Sequence, residues 1–320
     1  MSTTQRWGIT LPLRSRPLPD QRQIVNSLPA LGYTDAWSSE LNGADAFLPL
    51  ALAAQWTGEL RLGTAIAGIF TRGPALLAMQ AATLASLAPG RFMLGIGISS
   101  PVIVTDWNGI ELDRPYQRTR DTLRFLRSAL AGEKVSAQYE TFAISGFRLD
   151  PAPAQPPELA LAALRPQMVR LAAALADAAI TNWLAPADVP AVRAEAGPDC
   201  ELIARVFVCP TTDPGAAREI GRRLIAAYLT VPAYAAFHEW LGRGPKLAGM
   251  WDAWKRGDRK AAVAAIPDEV VDELIVHGSP DQCRAHIQRY VDAGVDTPAL
   301  AILPLGVDAR QATRDLAPKS

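Results

Sequence analysis

Eight short apolar runs, most of them followed by a stretch with helical spacing, divide this chain. The runs are Trp7 to Leu13, Tyr33 to Ser39, Leu60 to Gly68, Arg91 to Gly97, Glu158 to Leu164, Ala178 to Leu184, Cys200 to Pro210 and Thr297 to Leu305. Near-continuous apolarity marks strands covered on both faces, which is the habit of parallel sheets. Parallel neighbours need a long crossover, usually a helix. "GPALLAMQAATLASLAPG" is such a crossover, with Pro74 placed in the first turn, where its missing N–H costs no helix bond. Eight strand–helix units fit a closed (β/α)8 TIM barrel better than an open doubly wound sheet. The chain has 320 residues, more than the roughly 250 of a plain barrel. The surplus falls at residues 133–157, which read as a hairpin with a proline-rich exit, and at 213–274, which read as mostly helical. No linker composition interrupts residues 1–320, so one domain is expected.

Composition removes several classes of function. Lys+Arg and Asp+Glu each total 32, so the basic excess of a nucleic-acid footprint is missing. No apolar run approaches the roughly 20 residues of a membrane span, and the first 20 residues lack the apolar core of a secretory signal. A cytoplasmic protein acting on a small molecule is expected, with neither nucleic acid nor membrane as partner. The three cysteines show no C-x-x-C spacing, and the three histidines show no H-E-x-x-H pattern, so no metal site is expected. No G-x-S-x-G elbow supports a serine nucleophile.

The fourth run, "RFMLGIGISSP", poses a choice. A dinucleotide fingerprint requires G-x-G-x-x-G in the turn after the first strand of its unit. Here Ser100 holds the third position, Gly95 lies inside the strand, and three strands precede it. The alternative is a barrel strand whose tip, Gly97, Ser99 and Ser100, lets a planar ring approach the backbone. In-strand glycines that only relieve crowding are the plainer reading.

"LRLGTAIAGIFTRGPALLAMQAATLASLAPGRFMLGIGISSP", with "GYTDAWSSE" before it and "GSPDQCRAHIQRYVDAGVD" near the end, resembles the luciferase-like flavin and deazaflavin oxidoreductases. "SSELNGADAF" and "SSPVIVTDWNG" are most similar to members that use coenzyme F420. The resemblance implies hydride transfer between the deazaflavin and a small activated alkene, imine or carbonyl. A flavin mononucleotide (FMN)-dependent monooxygenase and a non-catalytic flavin-binding barrel are the alternatives. It also implies a cis peptide at Ala65–Ile66 that props the central ring, and a homodimer.

The family's usual histidine after the second strand is replaced by Leu41, and its glutamate near Ser100 is missing. Glu40 and Asn42 remain as catalytic candidates, with a solvated carboxylate the competing reading for Glu40. Ala163, Leu164 and Arg165 match the family's phosphate turn, although Arg165 stands where a glycine is usual; an exposed, unpaired arginine is the alternative. Trp107, Asn182 and Trp183 are candidates to line the substrate pocket, and Arg118 or Arg120 to reach an acidic cofactor tail.

Overall fold

The computed structural model describes residues 5–13, 16–303 and 308–319. Among these residues the strands are β1 (Gly8–Leu11), β2 (Asp35–Ser38), β3 (Arg61–Thr64), β4 (Ala67–Gly68), β5 (Phe92–Gly97), β6 (Val135–Gln138), β7 (Ala143–Phe147), β8 (Glu158–Ala162), β9 (Ala178–Asn182), β10 (Glu201–Cys209), β11 (Ile275–His277) and β12 (Thr297–Ile302). Parallel pairing runs β12-β1-β2-β3-β5-β8-β9-β10 and returns from β10 to β12, closing an eight-stranded barrel. β6 and β7 form an antiparallel hairpin inside the first insertion. The second insertion is helical at Pro214–Leu229, Pro232–Trp240, Gly244–Lys255, Arg259–Ala264 and Asp268–Leu274. No described helix is long and apolar enough to cross a membrane.

Three features depart from the expected elements. The third apolar run is not one strand but β3 and β4, separated at Ala65–Ile66. β11 was not anticipated; it pairs with β10 at Phe207–Cys209, above the stretch Glu201–Arg205 that pairs with β9. Three residues at the end of a helical insertion carry too little periodicity to stand out as a strand. The segment after β5 is a π-helical turn, Val102–Trp107, rather than a plain loop. Residues 304 and 305 of the eighth run lie outside the described residues.

One indole fills the middle of the barrel. Trp37 is 1% exposed and packs among Met93, Ala160, Ala178, Ile180, Ile203 and Ala299. The ring fits because its neighbours are small: a Cβ on Gly63 would lie 2.1 Å from Trp37 Cζ3, and one on Gly8 2.9 Å from Cδ1. A closed parallel barrel is a packed core rather than a pore, and here a single large side chain set against glycine and alanine achieves that packing.

Below Trp37, charge closes the N-terminal end. Arg61 donates to both oxygens of Glu201, at 2.6 and 2.7 Å, and to Asp35 at 2.5 Å. Arg6 and the Thr34 hydroxyl complete the coordination of the fully buried Asp35 carboxylate. Thr297 donates to Glu201 at 2.6 Å. Burial works against the charge on Arg61, but Glu201 and Asp35 outweigh it and hold its pKa above the ordinary value. Burial likewise opposes ionisation of Glu201, and the Arg61 hydrogen bonds reverse that and keep its pKa low. Buried charges persist only when paired in this way.

Candidate active site

The C-terminal end of the barrel is built differently. The Ala65–Ile66 peptide is cis. Gly63 pairs with Met93, but Ala67 pairs with Ile96, so four residues on one strand span three on the other. This is a β-bulge, a device that re-aims side chains at barrel rims. Across the gap the Thr64 side chain replaces the ladder: its hydroxyl donates to Gly95 O at 2.7 Å and accepts from Gly95 N at 2.9 Å. Gly95 therefore has a structural role. A Cβ there would sit 1.9 Å from the Thr64 carbonyl oxygen.

Gly97, one residue pair higher, faces the mouth. A Cβ at this position would meet Ile66 Cγ1 and Ala162 Cβ, each at 2.9 Å, so only glycine lets these two side chains pack directly on the strand backbone. Ser99 follows with φ of 71°, a left-handed conformation uncommon for a residue with a side chain and often associated with functional sites. Ser99 is exposed, and the Ser100 hydroxyl accepts from Ile103 N at 3.3 Å, starting the π-helical turn. That turn holds Trp107 54% exposed at its far end.

Glu40, just beyond β2, does not stand free in solvent. Arg72, in the turn after β4, binds its two oxygens at 2.5 and 2.6 Å, and Gly68 N lies 3.5 Å away. The Arg72 guanidinium also covers the Phe47 ring at 5.4 Å. Asn42 is exposed in the bend that follows. Sequence reasoning missed Arg72, although "TRGP" lay within the quoted signature, because its partner is 32 positions away.

On the other side, Ala163 is buried and donates to Ile180 O at 2.8 Å. Leu164 is half-buried and Arg165 exposed, at the start of the helix Pro166–Leu175. The Arg165 carbonyl accepts from Met168 and Val169, and no side chain caps the first turn. Pro166 has no N–H and Met168 and Val169 are already bonded, so the Gln167 amide and the helix dipole, beside the Arg165 side chain, are what this turn offers an anion. Arg118 lies over Phe70 and Phe142, 5.5 Å from each ring, whereas Arg120 is paired with Asp121 and Glu140.

Asn182 and Trp183 diverge. Trp183 has φ of 57°, is 1% exposed and stacks on Phe207 with ring centroids 4.1 Å apart. Tyr228 from the second insertion packs on Trp183, and Tyr234 packs edge-on against Tyr228. Asn182 follows Ile180 by two residues, so it shares the barrel-facing side of β9. Its amide donates to the Tyr234 hydroxyl at 3.1 Å. The tyrosines were not anticipated, because nothing in "YLTVPAYAAF" distinguishes a ring over the mouth from one in the core.

A cleft of about 670 Å³ near the opposite end lies beside Trp7, Gly32 and the helix Pro280–Asp292. Its charged groups Arg284 and Lys319 both pair with Asp281, which leaves the cleft without a reactive centre. No group of three or more potential metal ligands occurs among the described residues.

A closed parallel barrel with a bulged third strand and its candidate residues gathered at the C-terminal end is the frame of a barrel enzyme. The chain belongs to the luciferase-like monooxygenase family, whose model matches residues 2–297, and it is an oxidoreductase by class. It is similar to a 5,10-methylenetetrahydromethanopterin reductase of Methanolobus tindarius, 26% identical over 295 residues that cover 88% of this chain and 90% of the relative. Among solved structures, the coenzyme F420-dependent tetrahydromethanopterin reductase of Methanopyrus kandleri superposes with a TM-score of 0.77 at 19% identity, covering 98% of both chains. An F420-dependent secondary alcohol dehydrogenase, solved with an F420–acetone adduct, gives 0.77 at 18% identity and the same coverage.

Proposed function

We propose that this protein is an F420-dependent oxidoreductase that transfers hydride between the deazaflavin and a small activated alkene, imine or carbonyl. The observation that carries the reading is the bulge between β3 and β4 at the C-terminal end of the barrel, which sets Ile66 against the Gly97 backbone beside the left-handed turn at Ser99. The named cofactor of the similar proteins supports the same choice.

When bound, a reduced deazaflavin supplies hydride from its ring carbon. The residues of this chain bind and orient. Ala65, Ile66, Gly97, Ser99 and Ser100 would shape the ring site. Ala163, Leu164 and Arg165 would receive the phosphate at the helix N-terminus. Arg118 would attract an acidic tail. Glu40 and Arg72 tie the second strand's tip to the bulge, so Glu40 acts through position, with Asn42 at the rim. Trp107 and Asn182 would border the substrate, and Trp183 supports that wall from behind. Fixing two reactants in register can supply much of the rate.

The protein would act as a homodimer. Leu48, Leu76 and Met79 are 67%, 47% and 51% exposed on the adjacent helices Leu48–Trp56 and Pro74–Leu87, an apolar surface suited to a second copy.

Fluorescence titration tests the cofactor. Saturable quenching of F420 is expected, with FMN binding much more weakly. Saturable FMN binding with none for F420 would replace this reading by the monooxygenase. Binding of F420 without hydride transfer to any acceptor would leave a non-catalytic barrel.

A further inference from the structure

We infer that Tyr234, supplied by the second insertion, donates the proton that completes reduction of a substrate carbonyl, and that Asn182 is its positioning residue. The inference rests on the hydride-transfer reading above and assigns the acid that the missing histidine and glutamate leave open.

Three observations carry it. Asn182 ends β9 on the barrel-facing side, and its amide nitrogen lies 3.1 Å from the Tyr234 hydroxyl. Asn182 Oδ1 is buried and has no hydrogen-bond partner among the described residues. Leaving a buried amide oxygen unpaired is costly, so such a group signals a site for a polar ligand. Because the amide donates into the phenol oxygen, the phenolic proton remains available for a substrate oxygen.

The surroundings suit an acid. Burial raises the Tyr234 pKa to about 12, against the Asn182 hydrogen bond; Tyr228 adds to the rise, and the Arg205 guanidinium works to lower it. The phenol is therefore intact at neutral pH, and Arg205, 5.0 Å from the centre of the Phe207 ring, stands by to offset the tyrosinate. Hydride adds to the carbonyl carbon, and the C=O π pair moves to oxygen. The Tyr234 O–H bond breaks as the alcohol O–H forms, and water returns a proton to the tyrosinate. The carbonyl gains two electrons and the reduced deazaflavin loses them.

Protein labelled with carbon-13 at tyrosine Cζ, in the apo form, would be titrated with acetone and with cyclohex-2-enone. The Tyr234 resonance is identified by its loss in Tyr234→Phe. A shift of that resonance with either ketone is expected; no shift with both overturns the inference. With bound reduced F420 and the same ketones, Tyr234→Phe should slow single-turnover hydride transfer about 100-fold. KM and F420 affinity should be unchanged, and the solvent deuterium isotope effect lost. Asn182→Ala should reproduce the rate effect and Asn182→Ser restore part of it. A Tyr234→Phe rate equal to wild type overturns the inference. Failure of the wild type to bind F420 defeats the cofactor reading instead, and the apo titration still decides the role of Tyr234.

Discussion

The Arg72 guanidinium holds both oxygens of Glu40, at 2.5 and 2.6 Å, and thereby ties the tip of β2 to the turn beyond the cis bulge. Side-chain exposures of 11% for Arg72 and 20% for Glu40 place the pair largely out of bulk water, where a two-point ion pair orients more firmly than an exposed one. A carboxylate so occupied serves better as a brace than as a proton carrier.

Replacing Glu40 by Gln removes one charge and leaves Arg72 without its counterion. We expect a stability loss of about 1–3 kcal/mol and a several-fold weaker hold on F420. Urea unfolding and fluorescence titration measure the two effects. An unchanged urea midpoint would show that the brace contributes nothing.

Gly95→Ala should be far more damaging than its single methyl suggests. The new carbon would overlap the Thr64 carbonyl oxygen at 1.9 Å, and backbone cannot swing aside as a side-chain tip can. Overpacking typically costs about 1–3 kcal/mol, and loss of the Thr64 hydrogen bonds should take the total to the upper end. Thermal unfolding of the variant beside Gly97→Ala separates the positions. Gly97→Ala should mainly reduce cofactor binding, since its neighbours are side chains.

Arg61→Met removes the central cation of the charged floor. Asp35 keeps Arg6, whereas among the described residues Glu201 keeps the side-chain hydrogen bond of Thr297 alone. Breaking one side of a buried pair costs about 3–5 kcal/mol. The urea midpoint should fall accordingly while F420 affinity per folded molecule is retained, because the floor lies at the far end from the mouth.

Acid should destabilise the fold through two histidines. Burial pushes His238 down to about 3, with Arg243 adding to the shift, and burial pushes His286 down to about 4. The unfolded chain binds these protons near pH 6.5, whereas the folded one refuses them. Stability is therefore full above pH 6.5 and drains away as pH falls toward the folded values. Between pH 7 and pH 5 each contributes a loss of about 2 kcal/mol by linkage. Chemical denaturation across that interval should show a shallower slope in His238→Leu, and an identical slope would refute the assignment.

Met79→Glu, with Leu76→Glu, should yield a monomer in sedimentation velocity where the parent sediments as a dimer. A parent that is itself monomeric would remove the proposed pairing of these helices.

The frame could be read from residue order because strand and crossover periodicities are local properties. All eight runs lie in barrel walls, and both insertions fall where the surplus length placed them. The hairpin at Val135–Phe147 followed from the same logic. What could not be read depended on distant partners. Glu40 and Arg72 meet across 32 positions, and Asn182 and Tyr234 across 52. Trp183 shows the same limit: its φ of 57° directs the indole into Phe207 and Tyr228, and neighbouring residues give no warning of that rotation. β11 owes its extended form to the exposed upper edge of β10 rather than to its own three residues.

The wall that carries Tyr228 and Tyr234 lies outside the eightfold repeat and is moored to it by aromatic and apolar packing, the Asn182 amide bridge and the buried Arg243–Asp188 ion pair. Ancestry could therefore exchange this appendage wholesale, altering which molecules are accepted, while the ring-gripping half and the ionic base stay untouched. On the proposed reading, selectivity and redox hardware become separately inheritable parts of one chain.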